Sequence, residues 1–110
     1  MHKILSNPLE FIQSCVIARR VFWTYHVNIR LKERSIPRKW ILLSVEHFEI
    51  IESYPEDKYM PSYLVWSKFN EQIFHILFAA DTQENNVRII TAYRPDQHEW
   101  IKNMKQRIKK

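Results

Sequence analysis

The sequence predicts an α+β fold in which N-terminal helices pack on a four-stranded antiparallel sheet with a C-terminal helix. Three observations lead there. Capped stretches with helical spacing fill the chain up to about Phe48. From Glu49 onward the apolar period shortens to that of extended chain, with β-branched and aromatic residues dominating four runs. Asp96-Gln97-His98-Glu99 then reads as a cap ahead of a second helical stripe. With 110 residues, 45% of them hydrophobic, the chain suits a single domain, residues 1–110, with its own core rather than a disordered tail.

Each element has a local reason. Asn7-Pro8-Leu9-Glu10 is a helix start, with Asn7 as cap, Pro8 at the first helical position and Glu10 where a capping box puts its acid; the helix runs to about Arg20. Thr24 caps a second helix over Tyr25 to Arg34, and Ser35-Ile36-Pro37 ends it and begins a third, with Trp40, Ile41, Ser44, Val45 and Phe48 as its inner stripe. Strands follow over Glu49 to Tyr54, Tyr63 to Phe69, Ile73 to Ala80 and Val87 to Tyr93, the last three as an antiparallel meander. The chain has no glycine, so positive-φ turn positions must fall to Asn or Asp, as at Asn70 and Asn85-Asn86. The final helix would bury Trp100, Ile101, Met104 and Ile108, leaving Lys102, Lys105, Arg107 and Lys109 on other faces.

The net charge of +5 is unevenly spread: residues 1–45 carry +6, residues 46–100 carry −6 and residues 101–110 carry +5. Basic ends packed side by side would attract phosphate. No stretch has the roughly 20 apolar residues that a membrane span needs, and Glu10 and Gln13 interrupt the apolar part of a signal peptide. A cytoplasmic protein without membrane attachment is therefore expected. The single cysteine, Cys15, reads as a small buried side chain. The five histidines have no metal-ligand spacing, and neither a glycine-rich phosphate loop nor a serine-nucleophile motif is present, so no metal or cofactor is expected.

Three constellations carry candidate chemistry. His26, Arg30 and Arg34 recur every four residues and form one cationic stripe, suited to a phosphate or to a solvated face with Glu33 neutralising one arginine. His75 shares a face with Ile73, Leu77 and Ala79, while Phe74, Ile76 and Phe78 point the other way. Its strand must be central, and His75 is either a satisfied core group or a catalyst. Tyr93 and Arg94 lie on opposite faces at a strand exit, where Tyr93 can stack or donate and Arg94 can reach a phosphate or pair with an acid such as Asp57. Glu52, Asp57 and Lys58 offer a separate, metal-dependent alternative.

Tyr25-His26-Val27-Asn28-Ile29-Arg30-Leu31 with Arg34, Glu49 through Lys58, Pro61-Ser62-Tyr63-Leu64, His75, and Ile90 through Asp96 with Trp100 together resemble the bacterial family called domain of unknown function 4258. The resemblance covers residues 25–107 and leaves residues 1–24 as an added helix; the family usually has glycine where Ser35 stands. It implies kinship with ribonuclease toxins of the RelE, BrnT and MqsR kind, with helices on one side of a curved antiparallel sheet. The activity implied is metal-independent RNA cleavage by the toxin of a type II toxin–antitoxin pair. RNA and a cognate antitoxin, of zinc-finger or helix-turn-helix type, are the implied partners. His26, Arg30, His75, Tyr93 and Arg94 match the family pattern as catalytic candidates, with Arg34, Lys58 and Lys102 as substrate-binding cations. The alternative is a non-catalytic module that binds nucleic acid or protein. The nuclease expectation requires the second-helix cations and imidazole to converge with those at the last strand's exit around one hollow.

Overall fold

The computed structural model describes residues 5–109. The elements are α1 (Pro8–Ile17), β1 (Val21–Trp23), α2 (Tyr25–Glu33), α3 (Arg38–Leu43), a 3-10 turn (Val45–His47), β2 (Glu49–Tyr54), β3 (Ser62–Phe69), β4 (Gln72–Asp81), β5 (Asn86–Tyr93), β6 (Trp100–Ile101) and β7 (Gln106–Arg107). The expected caps form. Asn7 Oδ1 accepts from the Glu10 N–H at 3.1 Å, and Thr24 Oγ1 accepts from the Val27 N–H at 3.1 Å. Each satisfies an amide that the first helical turn leaves without a partner.

The α+β class holds, but the sheet is five-stranded and mixed, in the order β1-β5-β4-β3-β2. The β2–β3–β4–β5 run is antiparallel, as the alternation predicts, whereas β1 pairs in parallel with β5 through Val21↔Val87, Phe22↔Arg88 and Trp23↔Ile89. Three residues between two helices give no periodicity of their own. They become a strand because β5, far along the chain, offers them a free edge.

The C-terminal helix does not form. Asp96 still makes its cap-like turn, Oδ1 accepting from the His98 N–H at 2.8 Å, but the chain then folds into the β6–β7 hairpin, pairing Trp100 with Arg107 and Ile101 with Gln106. Lys102, Asn103 and Met104 between them all have positive φ, at 53°, 61° and 64°. A helix would have kept its helical stripe on one side. The hairpin instead buries Trp100 and turns backbone carbonyls toward β3 and β4, so tertiary contacts override helical propensity.

The left-handed positions do not fall to Asn or Asp alone: besides Asn70, Asn85 and Asn103, they are taken by Arg19, Ser35, Glu71, Lys102 and Met104. Asn70 and Glu71, with φ of 47° and 67°, form the two-residue β3–β4 turn; positive φ at both central positions matches the right-handed twist of a hairpin. Asn85 turns the chain into β5 with φ 55°. Ser35, with φ 54°, ends α2, and the Ile36 N–H reaches back to the Leu31 carbonyl at 2.9 Å.

The core lies on one face of the sheet. Ile12, Cys15 and Val16 of α1, Val27 and Leu31 of α2, and Ile41 of α3 meet Val65, Phe74, Ile76, Phe78, Val87 and Ile89. Each fully buried aliphatic or aromatic side chain contributes roughly 1.5–3 kcal/mol. A buried Ser67–Ser44 hydrogen bond of 2.7 Å ties β3 to the end of α3. The helices therefore sit on the Phe74, Ile76, Phe78 side, and His75 faces the other way. No described helix is long and apolar enough to cross a membrane.

Candidate functional site

The helix-free face of the sheet is where titratable groups gather. Cross-strand register puts Trp66 and Tyr93 on either side of His75, and Glu52 opposite Leu64. Alternation sends all of these to the same face. His75 is fully buried, with both ring nitrogens occupied: Nε2 lies 2.7 Å from the Met104 carbonyl oxygen and Nδ1 lies 3.3 Å from the Tyr93 hydroxyl. A carbonyl can only accept, so Nε2 carries the proton and Nδ1 accepts from Tyr93. Trp100 meets the imidazole edge to face at 4.5 Å.

Beside this pair, Glu52 receives a two-pronged contact from Arg107, at 2.9 Å from Nε and 3.0 Å from Nη2, and accepts a short hydrogen bond from the Tyr54 hydroxyl. The Arg107 guanidinium lies 4.5 Å above the Trp100 ring, which fixes it in place. Lys105 likewise lies over Trp66, at 4.2 Å, and pairs with Glu49 at 2.6 Å, while the Trp66 indole N–H donates to the Asn103 carbonyl at 2.8 Å. These contacts hold the β6–β7 hairpin against the face.

Environment sets the protonation states. Burial pushes His75 below its ordinary pKa, with the Met104 carbonyl opposing, so the imidazole is neutral near pH 7. Burial raises Tyr93, and the hydrogen bond to Glu52 raises Tyr54, so both phenols keep their protons. Arg107 holds Glu52 below the usual carboxylate range, and Glu52 in turn raises Arg107. The set contains a neutral imidazole aimed at a phenol and a second phenol aimed at a carboxylate, with a half-exposed guanidinium between them.

Of the expected residues, His75 and Tyr93 come together here, and Lys102 lies on the hairpin loop beside Asn103 and Met104. The others lie elsewhere. His26 and Arg30 are exposed on α2, across the sheet, with Arg30 3.9 Å from Glu33. Arg34 donates to the Thr91 hydroxyl at 3.2 Å and the Ala92 carbonyl at 2.7 Å. Arg94 donates to Gln72 and to the Arg34 and Ser35 carbonyls, and stacks over Trp40 at 5.2 Å. Lys58, in the β2–β3 loop, lies over Tyr59 at 5.2 Å. The single hollow shared by second-helix and last-strand groups is thus not formed, because the sheet separates α2 from His75 and Tyr93. Arg94 is not an Asp57 partner either: Asp57 accepts from the Ser62 hydroxyl at 2.7 Å. Asp57 is engaged with Ser62, and Glu52 with Arg107 and Tyr54, and the described residues hold no cluster of three or more His, Cys, Asp or Glu that could bind a metal ion.

Tyr54, Trp100 and Arg107 are not among the residues that the sequence points to as a site, and Glu52 is expected only in the metal-dependent alternative. The alternation Glu52-Ser53-Tyr54 carries a signal, since it puts acid and phenol on one strand face. Arg107 carries none, because its position depends on the hairpin. No curated protein and no solved structure matches the chain. A family model, that of domain of unknown function 4258, matches residues 23–94, which takes in Glu52, Tyr54, His75 and Tyr93 but stops before Trp100 and Arg107. The match spans well over half of the chain, which belongs to this family.

Proposed function

We propose that the protein cleaves RNA without a metal, as the toxin of a type II toxin–antitoxin pair, through a different residue set from the one expected: the nuclease site expected from α2 and the exit of the last strand fails with its hollow, and the helix-free face takes its place. The observation that carries this reading is two proton-transfer pairs on one sheet face, Tyr93 on His75 and Tyr54 on Glu52, with Arg107 bonded to Glu52 and lying over Trp100, which itself meets His75. In the reaction Tyr93 Oη takes the proton of a 2′-hydroxyl as its own proton passes to His75 Nδ1. The 2′-oxygen attacks the adjacent phosphorus and the P–O5′ bond breaks, giving a 2′,3′-cyclic phosphate. Tyr54 protonates the departing 5′-oxygen and is reprotonated by solvent, and after product leaves His75 Nδ1 returns its extra proton to Tyr93 Oη, which releases its own to solvent. The exposed N–H groups of Arg107 meet the charge that builds on the phosphate, and the Met104 carbonyl stabilises the imidazolium formed at His75.

The toxin assignment, an antitoxin partner and work in the cytoplasm where RNA is the target rest on the kinship with RelE, BrnT and MqsR toxins that membership of the domain of unknown function 4258 family implies. Helices on one side of an antiparallel run of strands agree with the fold that kinship would imply, with β1 as a further, parallel edge strand. One observation favours a second reading, a binding module without catalysis: His75 has no exposed surface.

Incubation with RNA in EDTA decides between them. Products ending in 2′,3′-cyclic phosphate, lost in Tyr93→Phe, support cleavage. Binding that weakens steeply with salt and yields no products supports the module and overturns the nuclease.

A further inference from the structure

On the other side of the sheet, α2 and the start of α3 enclose a groove of about 410 Å³, lined by Asn28, Leu31, Lys32, Ser35, Ile36, Pro37 and Arg38. Its floor is aliphatic: Leu31 and Ile36 lie beneath it as buried core residues, 4% and 1% exposed, and Pro37 is the exposed apolar side chain. Its rim is cationic. Residues 30–39 contain five cations (Arg30, Lys32, Arg34, Arg38 and Lys39) and one acid, Glu33, which lies beside Arg30.

Arg38 is held in position before any partner arrives. Its Nε and Nη2 both donate to Asn28 Oδ1, at 3.0 and 2.6 Å, and its guanidinium lies 4.7 Å over the Trp23 ring. Both partners are neutral, so the charge is fixed in direction but not compensated. Fixing a long side chain in advance removes an ordering cost that a binding partner would otherwise meet.

We infer that this groove is a docking surface for an acidic peptide segment of a partner protein, one that alternates carboxylates with aliphatic side chains. The aliphatic residues fill the floor, and the carboxylates meet Lys32 and Arg38 at the rim. Charge complementarity selects the sign of the partner, and the floor selects its class. Phosphates could meet the rim cations, but stacked bases would need open aromatic faces; Trp23, beside the groove, has Arg38 lying over it, and the aliphatic floor suits leucine-like side chains better than bases. The inference does not depend on the RNA-cleavage reading, because the groove and the His75 cluster lie on opposite sides of the sheet.

The test is fluorescence anisotropy of the full chain with a short labelled peptide of alternating glutamate and leucine. An all-glutamate peptide and a single-stranded oligoribonucleotide are the other probes. The alternating peptide binds saturably and more tightly than all-glutamate. Lys32→Glu together with Arg38→Glu weakens it by about tenfold or more, whereas Lys109→Glu, away from the groove, does not. Lys32→Glu alone, at an exposed α2 position, gives a smaller loss in the same direction and guards against misfolding of the double variant. Equal binding of both peptides, unchanged binding in the reversed variants, or tighter binding of the oligoribonucleotide through the same two cations would overturn the inference.

Discussion

The two sides of the sheet use similar residues for different ends. On the helix side, Arg34 and Arg94 spend their N–H groups on backbone carbonyls of β5 and of the α2 terminus, so each acts as a clip between helix and strand. On the open side, Arg107 is held by a carboxylate and an indole and keeps donors toward solvent, while His75 and the phenols form proton-transfer pairs. An arginine bonded to carbonyls is a structural part. An arginine poised over an aromatic ring beside acids and phenols is available to a ligand. Residue type alone cannot tell these apart; the acceptor does.

The largest effect that would break or sharpen this contrast is catalytic. Tyr93→Phe is expected to lower RNA cleavage by about 10²–10⁴-fold, whereas His26→Ala and Arg30→Ala leave it within about twofold, since exposed α2 positions touch no reacting group. Gel assays of purified variants check this, and the reverse pattern would move the site to α2. Next, Trp100→Ala should cost about 3–5 kcal/mol in urea denaturation, because it empties the contact between His75 and Arg107. Arg94→Ala, on the helix side, should cost about 1 kcal/mol, because exposed carbonyls recover water.

The pH dependence comes third. Burial keeps folded His75 below its ordinary pKa of 6.5, so the unfolded chain takes up the proton first. Stability is therefore full above 6.5 and declines as pH falls through the window beneath it. Glu52, lowered from 4.5 chiefly by Arg107, adds a second loss further toward acid. Denaturation midpoints across this range check both, and His75→Gln should flatten the first decline. The smallest change is a gain: Ser35→Gly should stabilise by roughly 0.5–1 kcal/mol, since glycine takes the φ of 54° at the α2 terminus without strain.

What could be read from residues in order was set by local chemistry. The Asn7 and Thr24 caps, the β2 span, the Asn70 turn and the two-faced apolar character of the His75 strand each rest on neighbours within a few positions. The parallel β1 and the Glu52–Arg107 pair depend on partners more than fifty residues away, and the C-terminal hairpin leans on Trp66 and His75, 37 and 29 residues from their partners Asn103 and Met104. The helical stripe of Trp100, Ile101, Met104 and Ile108 was a real pattern, but Trp100 found His75 and the pattern lost to that contact. Two of the expected catalytic residues, His75 and Tyr93, therefore stand in the cluster, while the arginine beside it, Arg107, is one that helical spacing puts on a face away from the buried stripe.

The family match begins at residue 23, yet Ile12, Cys15 and Val16 of α1 have no exposed surface, and β1 covers the edge of β5. A recombinant fragment trimmed to the matched segment would expose a bare strand margin flanked by Val87 and Ile89, which invites edge-to-edge association and precipitation. The boundary of the foldable unit thus lies upstream of the boundary of the recognised family, and expression trials should begin ahead of Asn7.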